Sequence, residues 1–359
     1  MKKLGGEMLI VRADASVAIG TGHVMRCLAL GQAWKDKGGQ AIFAMADSTP
    51  AISERLLNEN IRPVPIDAVA ASDHDLEQTI ALAHDQAAAW VVTDGYHFGA
   101  HYHSTLKNAG LKVLAVDDNG NGGPYTADFV LNQNIHARAD LYHDRAPHTR
   151  LLLGTQYALL RREFLGLCEY QREIAPVARK LLVAMGGSDP GNVTLLVLDA
   201  IDQVHAPELE VLVVAGGSNP HMVSLSQRAA RCRYDCRIVT NVTNMKGLII
   251  WADLAISAAG TACWEYCLAG LPAILLAVAE NQIPAAETLH AAGAAVLIGD
   301  GEKSDSHEIA ESITRLLNSP KERQSMSHRA RALVDGRGAE RTVSALLRES
   351  FAESLKEDL

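Results

Sequence analysis

The chain has 359 residues, 21% of them charged, and a formal net charge of −9, which favours a globular protein of two domains and argues against a nucleic-acid partner. No basic segment precedes an apolar one near the start, and the apolar runs fall well short of a bilayer span. We therefore expect a cytoplasmic protein with no membrane partner.

Taken in chain order, the first half alternates short apolar runs with helical patterns. The runs typical of buried parallel strands are "MLIVRAD", "QAIFAMA", "WVVTDG", "KVLAVDD" and "ADFVLN". After a polar stretch at 135–178, the alternation resumes with "KLLVAMGG", "ELEVLVVAGG", "CRIVTNV", "LAISAAG", "PAILLAV" and "AAVLIGD". This pattern predicts an α/β protein with two doubly wound Rossmann-like domains. We place them at 8–165 and 166–340, followed by a terminal helix at 341–359.

A glycine turn links the first predicted strand to the first helix in "RADASVAIGTGHVMRC". A dinucleotide-binding motif would need a third glycine where Met25 stands, and a P-loop would need a lysine where His23 stands. Histidine beside such a turn is suited to acid–base chemistry. The alternative is a histidine that only decorates a tight turn formed by Gly20 and Gly22, and the pattern alone leaves both open.

Carboxylates end several strands of the first half. Asp117 and Asp118 are predicted to cap the turn that follows them, whereas the role of Asp94 stays open. Beside the glycine turn, we predict that Asp14 contacts the substrate and that Arg12 either joins it there or simply pairs with it.

Metal binding is not expected. Two cysteine pairs have C-x3-C spacing, Cys232 with Cys236 and Cys263 with Cys267, but neither has the spacing of a zinc ribbon or finger. His101 and His103 are two residues apart and do not share a helix face, so we predict that both are solvated. No metal and no other cofactor is predicted.

The second half ends its strands in small-residue turns, "GGSDPGN", "GGSNP", "SAAGTACWE" and "AENQ". Such turns present backbone N–H groups at the N-termini of the helices that follow, where anions are favoured. With similar turns in the first half, the sequence predicts an anionic ligand bound between the domains.

Three segments carry a resemblance to a known family: "RADASVAIGTGHVMRCLALGQAW", "AMGGSDPGNVT" and "SAAGTACWEYCLAGLPAILLAVAENQ". They resemble the UDP-2,4-diacetamido-2,4,6-trideoxy-β-L-altropyranose hydrolase family of pseudaminic acid biosynthesis, and the similarity runs from Met8 to the last helix. The resemblance implies a GT-B fold with an interdomain cleft. It also implies inverting, metal-independent hydrolysis of a UDP-sugar to the free sugar and UDP.

The family's roles transfer to matching residues of this chain. His23 matches the catalytic histidine and is the expected general base for water. The expected substrate-binding residues are Asp14, Gly22, Tyr96, Asn281 and Gln282. The expected nucleotide-binding residues are Gly187, Ser188, Gly260, Thr261 and Glu265, with Glu265 at the ribose and the others near the pyrophosphate. Ala259 departs from the glycine pair common in the family, and this weakens the assignment there because alanine disfavours positive φ.

Two alternatives remain beside the hydrolase. One is a glycosyltransferase of the same fold, in which His23 would activate an acceptor hydroxyl instead of water. The other is a non-catalytic nucleotide-sugar binder, which would not need His23. The joint presence of "GTGHVMRC" and "AENQ" favours the hydrolase.

Overall fold

The computed structural model describes residues 4–16, 19–217, 219–300 and 305–357. The chain forms two α/β units: the first ends at Arg162 and resumes at Gly336, and the second is Glu163–Asp335. The predicted fold class, two doubly wound α/β domains, is confirmed. The second unit ends earlier than residue 340, and the last helix counts with the first unit instead of standing apart at 341–359.

The strands of the first unit are β1 (Met8–Ala13), β2 (Gln40–Met45), β3 (Arg62–Pro65), β4 (Ala88–Asp94), β5 (Val113–Val116), β6 (Phe129–Asn132) and β7 (Arg150–Leu153). They pair in parallel in the order β3-β2-β1-β4-β5-β6-β7. Its helices are α1 (Gly22–Asp36), α2 (Pro50–Asn58), α3 (Asp73–Asp85), α4 (Ala100–Asn108) and, from the end of the chain, α12 (Gly338–Glu357).

Helices cover both faces of this sheet, as its apolar strands require. Alternate residues of a strand point to opposite faces. Leu9 and Val11 of β1 therefore pack with α1 and α12 residues such as Leu28 and Val343. Ile10 joins the other core, which includes residues of α3 and α4. The returning helix α12 thus completes the core of the first unit.

Two strands of this sheet were not predicted, and both lie at its edges. The β3 strand, "RPVP", contains two prolines, which an edge strand tolerates because it lacks a partner on one side. The β7 strand is a short apolar run inside the polar stretch at 135–178, where no strand was predicted.

The strands of the second unit are β8 (Lys180–Ala184), β9 (Glu210–Ala215), β10 (Asp235–Thr240), β11 (Leu254–Ala258), β12 (Ala273–Ala277) and β13 (Val296–Asp300). They pair in parallel in the order β10-β9-β8-β11-β12-β13. Its helices are α5 (Val193–Gln203), α6 (Met222–Ala229), α7 (Met245–Trp251), α8 (Ala262–Ala269), α9 (Ile283–Ala291), α10 (Ser306–Asn318) and α11 (Pro320–Leu333).

In each sheet the strand order reverses between two central strands, β1 and β4 in the first and β8 and β11 in the second. Ligands of doubly wound sheets bind where the carboxyl ends of such strands meet. In the part of the chain that the structure describes, no helix combines the length and the apolarity needed to cross a membrane.

Candidate active site

The turn after β1 brings His23 to the carboxyl edge of the first sheet. Gly20 has a φ of +74°, a left-handed conformation that glycine adopts without steric cost. Helix α1 then begins at Gly22, so His23 lies in its first turn. The predicted substrate-binding residue Gly22 thus directly precedes the histidine.

A buried carboxylate fixes the His23 ring. Its Nδ1 lies 2.6 Å from Oδ1 of Asp94, the last residue of β4. The Asp94 side chain is fully buried, whereas that of His23 is 12% exposed. Because an ionised carboxylate only accepts hydrogen bonds, the proton of a neutral imidazole is assigned to Nδ1, and Nε2 is the basic nitrogen. Asp94, whose role the sequence left open, therefore orients His23.

Arg26, one helical turn after His23, joins two carboxylates. Its Nε and Nη2 each donate to Asp94 at 2.7 Å, and its Nη1 donates to Oδ1 of Asp118 at 2.8 Å. Burial would raise the pKa of Asp94, but attraction to Arg26 and His23 outweighs it and holds that pKa well below its usual range. Burial likewise opposes the charge of Asp118, and attraction to Arg26 again lowers the pKa. Both carboxylates are therefore ionised at neutral pH.

Tyr96 joins this network from the loop after β4. Its hydroxyl donates to Oδ2 of Asp118 at 3.0 Å, and its ring meets that of His23 edge-on with centroids 5.0 Å apart. Tyr96 is nevertheless 57% exposed. A small recess lies beside it, with walls that include Arg26, Asp94, Tyr96, Phe98, Ala115 and Tyr125. The structure thus brings together two predicted site residues, His23 and Tyr96, and Tyr96 lines the recess.

The prediction that two adjacent aspartates cap their turn is confirmed for one of them. Oδ1 of Asp117 accepts from the backbone N–H groups of residues 119 and 120, at 2.8 and 2.6 Å. The prediction for Asp118 is wrong, because its carboxylate accepts from the side chains of Arg26 and Asn134 and from the tyrosine hydroxyl. Sequence reasoning also missed Arg26, although its spacing from His23 places both on one helix face.

Asp14 lies deeper than the predicted substrate contact requires. It is 2% exposed, and its Oδ1 accepts from Arg12 Nη1 and from the backbone N–H of Ala46, each at 2.7 Å. Arg12, whose role the sequence left open, pairs with Asp14 and also, through Nη2, with Asp75 at 2.8 Å. In this position Asp14 has almost no surface to offer a sugar directly.

The two histidines predicted to be solvated differ. The His101 side chain is 74% exposed, as expected. The prediction for His103 is wrong, because it is 3% exposed and its Nε2 lies 2.9 Å from Oγ1 of Thr93. Burial lowers the pKa of His103 to about 4, so its imidazole is neutral.

The predicted nucleotide-binding residues lie at the carboxyl edge of the second sheet. Gly187 and Ser188 follow β8, and Gly260 and Thr261 connect β11 to α8. Thr261 precedes α8, and its side chain makes no capping hydrogen bond to that helix. The backbone N–H groups of Cys263 and Trp264 donate to the carbonyl oxygens of Gly260 and Thr261. Glu265 lies in the first turn of α8 and is 9% exposed.

The alanine that departs from the family pattern causes no backbone strain. Among the described residues with positive φ, neither Ala259 nor Gly260 occurs, so the turn before α8 does not require a second glycine. The doubt that the sequence raised at Ala259 is removed.

Asn281 and Gln282 belong to a short 3-10 turn between β12 and α9. The Oε1 of Gln282 accepts from the backbone N–H of Val278 at 3.1 Å. Its Nε2 lies 4.0 Å from the position that a Cβ would take at Gly260. The "AENQ" loop and the turn before α8 are therefore neighbours at one end of the second sheet.

Metal ligands are not grouped in the part of the chain that the structure describes. No set of three or more His, Cys, Asp or Glu side chains in it is arranged to hold a metal ion. All six cysteines are free thiols, and Cys263 and Cys267 are buried in α8.

Comparisons with known proteins agree with this architecture. Residues 181–342 match the glycosyltransferase family 28 C-terminal domain. The Anabaena protein Alr3699/HepE, solved in complex with UDP-glucose, superposes with a TM-score of 0.65 at 14% identity, over 95% of this chain and 99% of that one. The chain therefore has the GT-B fold that the resemblance implied.

Sequence similarity to two relatives indicates more closely which family the chain belongs to. The UDP-2,4-diacetamido-2,4,6-trideoxy-beta-L-altropyranose hydrolase of Campylobacter jejuni is 25% identical over 244 residues, 67% of this chain and 81% of that protein. The spore coat polysaccharide biosynthesis protein SpsG of Bacillus subtilis is 31% identical over 249 residues, 68% of this chain and 70% of that protein. On this similarity, the chain belongs to the family of SpsG, a nucleotide-sugar-processing family with a GT28-like second domain.

Proposed function

We propose that the protein hydrolyses a UDP-linked 2,4-diacetamido-2,4,6-trideoxy sugar to the free sugar and UDP, with inversion and without a metal ion. The observation that carries the proposal is the His23–Asp94 pair at the carboxyl edge of the first sheet. The similarity to the Campylobacter hydrolase supports the choice of substrate.

In the proposed reaction, Nε2 of His23 takes a proton from water while the water oxygen attacks the anomeric carbon. The bond from that carbon to the UDP oxygen breaks, and UDP leaves with the electron pair. Attack from the side opposite UDP inverts the anomeric centre. Asp94 holds the ring and stabilises the imidazolium that forms, as the carboxylate of a histidine–carboxylate pair does.

The sugar is proposed to bind beside Tyr96 and Gly22. The exposed ring of Tyr96 offers a face for a sugar, and its hydroxyl is held by Asp118. The recess next to it combines apolar walls, from Phe98 and Ala115, with the charged edge of the network. Such a mixed surface suits acetamido groups, which carry a methyl group and an amide.

The nucleotide is proposed to bind the second unit, with Glu265 at the ribose. Gly187, Ser188, Gly260 and Thr261 would lie at the pyrophosphate, where backbone N–H groups at the start of α8 can stabilise negative charge. Asn281 and Gln282 would complete this side, because Gln282 adjoins Gly260.

A glycosyltransferase is the second candidate, and the match to a glycosyltransferase family 28 domain favours it. The same His23–Asp94 pair would then remove a proton from an acceptor hydroxyl. The two candidates differ in one measurable way, which is whether UDP is released when water is the sole acceptor.

The test is to incubate the protein with UDP-2,4-diacetamido-2,4,6-trideoxy-β-L-altropyranose in buffer alone, with and without EDTA, and to follow UDP release. We expect multiple turnovers that EDTA does not change, and a free sugar whose first-formed anomer is inverted by NMR. In water labelled with heavy oxygen, the released UDP should stay unlabelled. Turnover only with an added sugar acceptor would favour the transferase, and binding without turnover in either case would favour a non-catalytic binder.

A further inference from the structure

A second histidine–carboxylate pair lies beside the first and is formed after the same two strands, with the positions of histidine and carboxylate exchanged. His23 follows β1 and contacts Asp94 at the end of β4, whereas His97 follows β4 and faces Asp14 at the end of β1. Ala13 and Asp94 are directly paired in the sheet, so the two carboxylates lie on neighbouring strands. Both imidazoles therefore belong to the same edge, at the point where the strand order reverses.

One carboxylate oxygen of Asp14 is available to accept a hydrogen bond from His97. Arg12 and the backbone N–H groups of Ala46 and Asp47 all donate to Oδ1. Oδ2 is buried and has no hydrogen bond from any described residue, and Nε2 of His97 lies 3.5 Å from it. That distance is within ion-pair range but slightly beyond an ordinary hydrogen bond. A buried acceptor with no other donor favours a ring that keeps Nε2–H turned toward it.

The neighbours of His97 confine its ring as well. A Cβ at Gly95 would come within 2.8 Å of its Cε1 and 3.1 Å of its Nε2, so the close approach depends on glycine. The Phe98 ring packs against it with centroids 4.2 Å apart. The His97 side chain is still 31% exposed, which is more than twice the 12% of His23. The ring is thus positioned by its surroundings and open on one side.

We propose that His97 is a second substrate-contacting imidazole, held by Asp14, which binds a hydroxyl or amide N–H group of the sugar. With Nε2–H facing Asp14, a neutral ring presents Nδ1 as a hydrogen-bond acceptor. This inference rests on the proposed binding of the sugar to the first unit. It also returns Asp14 to substrate recognition, through His97 instead of by direct contact.

A role for His97 on the leaving group does not fit inversion. The attacking water and the departing UDP lie on opposite sides of the anomeric carbon. Because His97 shares the sheet edge of the proposed base His23, it lies on the water side and meets the sugar, not the phosphate.

The test compares His97→Leu, His97→Asn and His97→Gln with a surface control, His101→Leu, in kinetics with the diacetamido substrate and in calorimetry with UDP. We expect His97→Leu to raise KM about 3- to 10-fold, with kcat and UDP affinity close to wild type, because a hydrogen bond to the sugar is lost. His97→Asn should recover more than His97→Gln, because the asparagine amide reaches the place of Nδ1 and the glutamine amide that of Nε2.

Unchanged KM in a folded His97→Leu protein would overturn the inference. So would a large loss of kcat with an altered pH profile, because His97 would then move a proton. If the wild-type protein hydrolyses nothing, the proposed function fails but the inference is still tested by titrating UDP-glucose and UDP. The ratio of their dissociation constants should then rise in His97→Leu, and an unchanged ratio would count against the sugar contact.

Discussion

The two units bury arginines for different purposes. In the first unit, Arg12 and Arg26 are almost fully buried and their guanidinium groups pair with carboxylates, namely Asp14, Asp75, Asp94 and Asp118. In the second unit, the half-buried Arg172 and the buried Arg323 donate to backbone carbonyls instead, those of Ile249, Ala252 and Ala269 and those of Ala175, Leu316 and Leu317. The arginines of the first unit hold carboxylate side chains in place, and those of the second unit hold backbone segments in place.

This difference is consistent with a division of labour between the two units, in which one supplies the chemistry and the other binds the nucleotide. A buried ion pair adds little net stability, because desolvation offsets much of the attraction, so we attribute the pairs of the first unit to positioning. They hold His23 and Tyr96, whose proposed functions depend on side-chain atoms. The corresponding edge of the second sheet consists of glycine-rich turns and a helix start, which would act through backbone N–H groups. We infer that chemistry belongs to the first unit and nucleotide binding to the second.

The largest effect is expected from His23→Asn, which tests whether the chemistry belongs to the first unit. Asparagine can keep a hydrogen bond to Asp94 but cannot act as a base at neutral pH, so kcat should fall about 10²- to 10⁴-fold. UDP affinity, measured by calorimetry, should stay at the wild-type value, because UDP is assigned to the second unit.

His101→Asn is the matched control for that change, since its ring is 74% exposed on the same unit. It should leave both kcat and UDP affinity unchanged. Near-normal kcat in a folded His23→Asn protein would contradict the proposed mechanism. Loss of UDP binding in it would contradict the assignment of UDP to the second unit.

Asp94→Asn should have the next largest effect. The amide no longer stabilises the imidazolium and can present its N–H to Nδ1, which favours the wrong tautomer, so we expect kcat to fall about 10²-fold. The pKa of Asp94 lies well below its usual range, because attraction to Arg26 and His23 outweighs burial, and it stays ionised throughout an assay between pH 5 and 9. Loss of activity toward acidic pH in the wild type therefore does not report protonation of Asp94.

A full pH profile of kcat/KM for both proteins measures this effect, with Asp73→Asn as a control whose side chain is 86% exposed. An Asp94→Asn protein with normal kcat and an unchanged acid limb would show that the carboxylate does not orient the base.

Arg323→Leu tests the structural role assigned to the arginines of the second unit. Arg323 is 1% exposed, and burial lowers its pKa more than attraction to Asp253 raises it. Removing its donors leaves backbone carbonyls unsatisfied inside the second unit, so we expect the Tm of that unit to fall by about 5–10 °C. The kinetics of the folded protein should stay normal. Arg315→Leu, at a half-exposed ion pair with Glu322, is the control and should shift Tm by little. An unchanged Tm in Arg323→Leu would contradict the structural role of these arginines.

How much the sequence revealed depended on whether a feature was local. The central strands and the glycine turn before His23 were predicted, because apolar runs and a turn are read within a few residues. The contact between Arg26 and Asp118 spans 92 positions and depends on β4 lying between β1 and β5, which no local pattern states. The β3 strand was missed because its prolines argue against a strand, and only its edge position makes them acceptable. His103 was misjudged because helical spacing shows which residues share a face but not which face is buried.

The smallest expected effect tests the second unit alone. Glu265 lies in the first turn of α8, one turn after the proposed phosphate contacts Gly260 and Thr261, and is 9% exposed. A carboxylate there can accept hydrogen bonds from both hydroxyls of a ribose, so Glu265→Ala should weaken UDP binding about 10-fold in calorimetry. Glu311→Ala, at a residue whose side chain is 71% exposed on α10, should leave the affinity unchanged. Because Glu265 takes no part in proton transfer, kcat at saturating substrate should change little, so that the loss appears in KM. Equal UDP affinities in Glu265→Ala and the wild type would remove the ribose assignment, and a fall in kcat without a change in affinity would show that the second unit takes part in the chemistry.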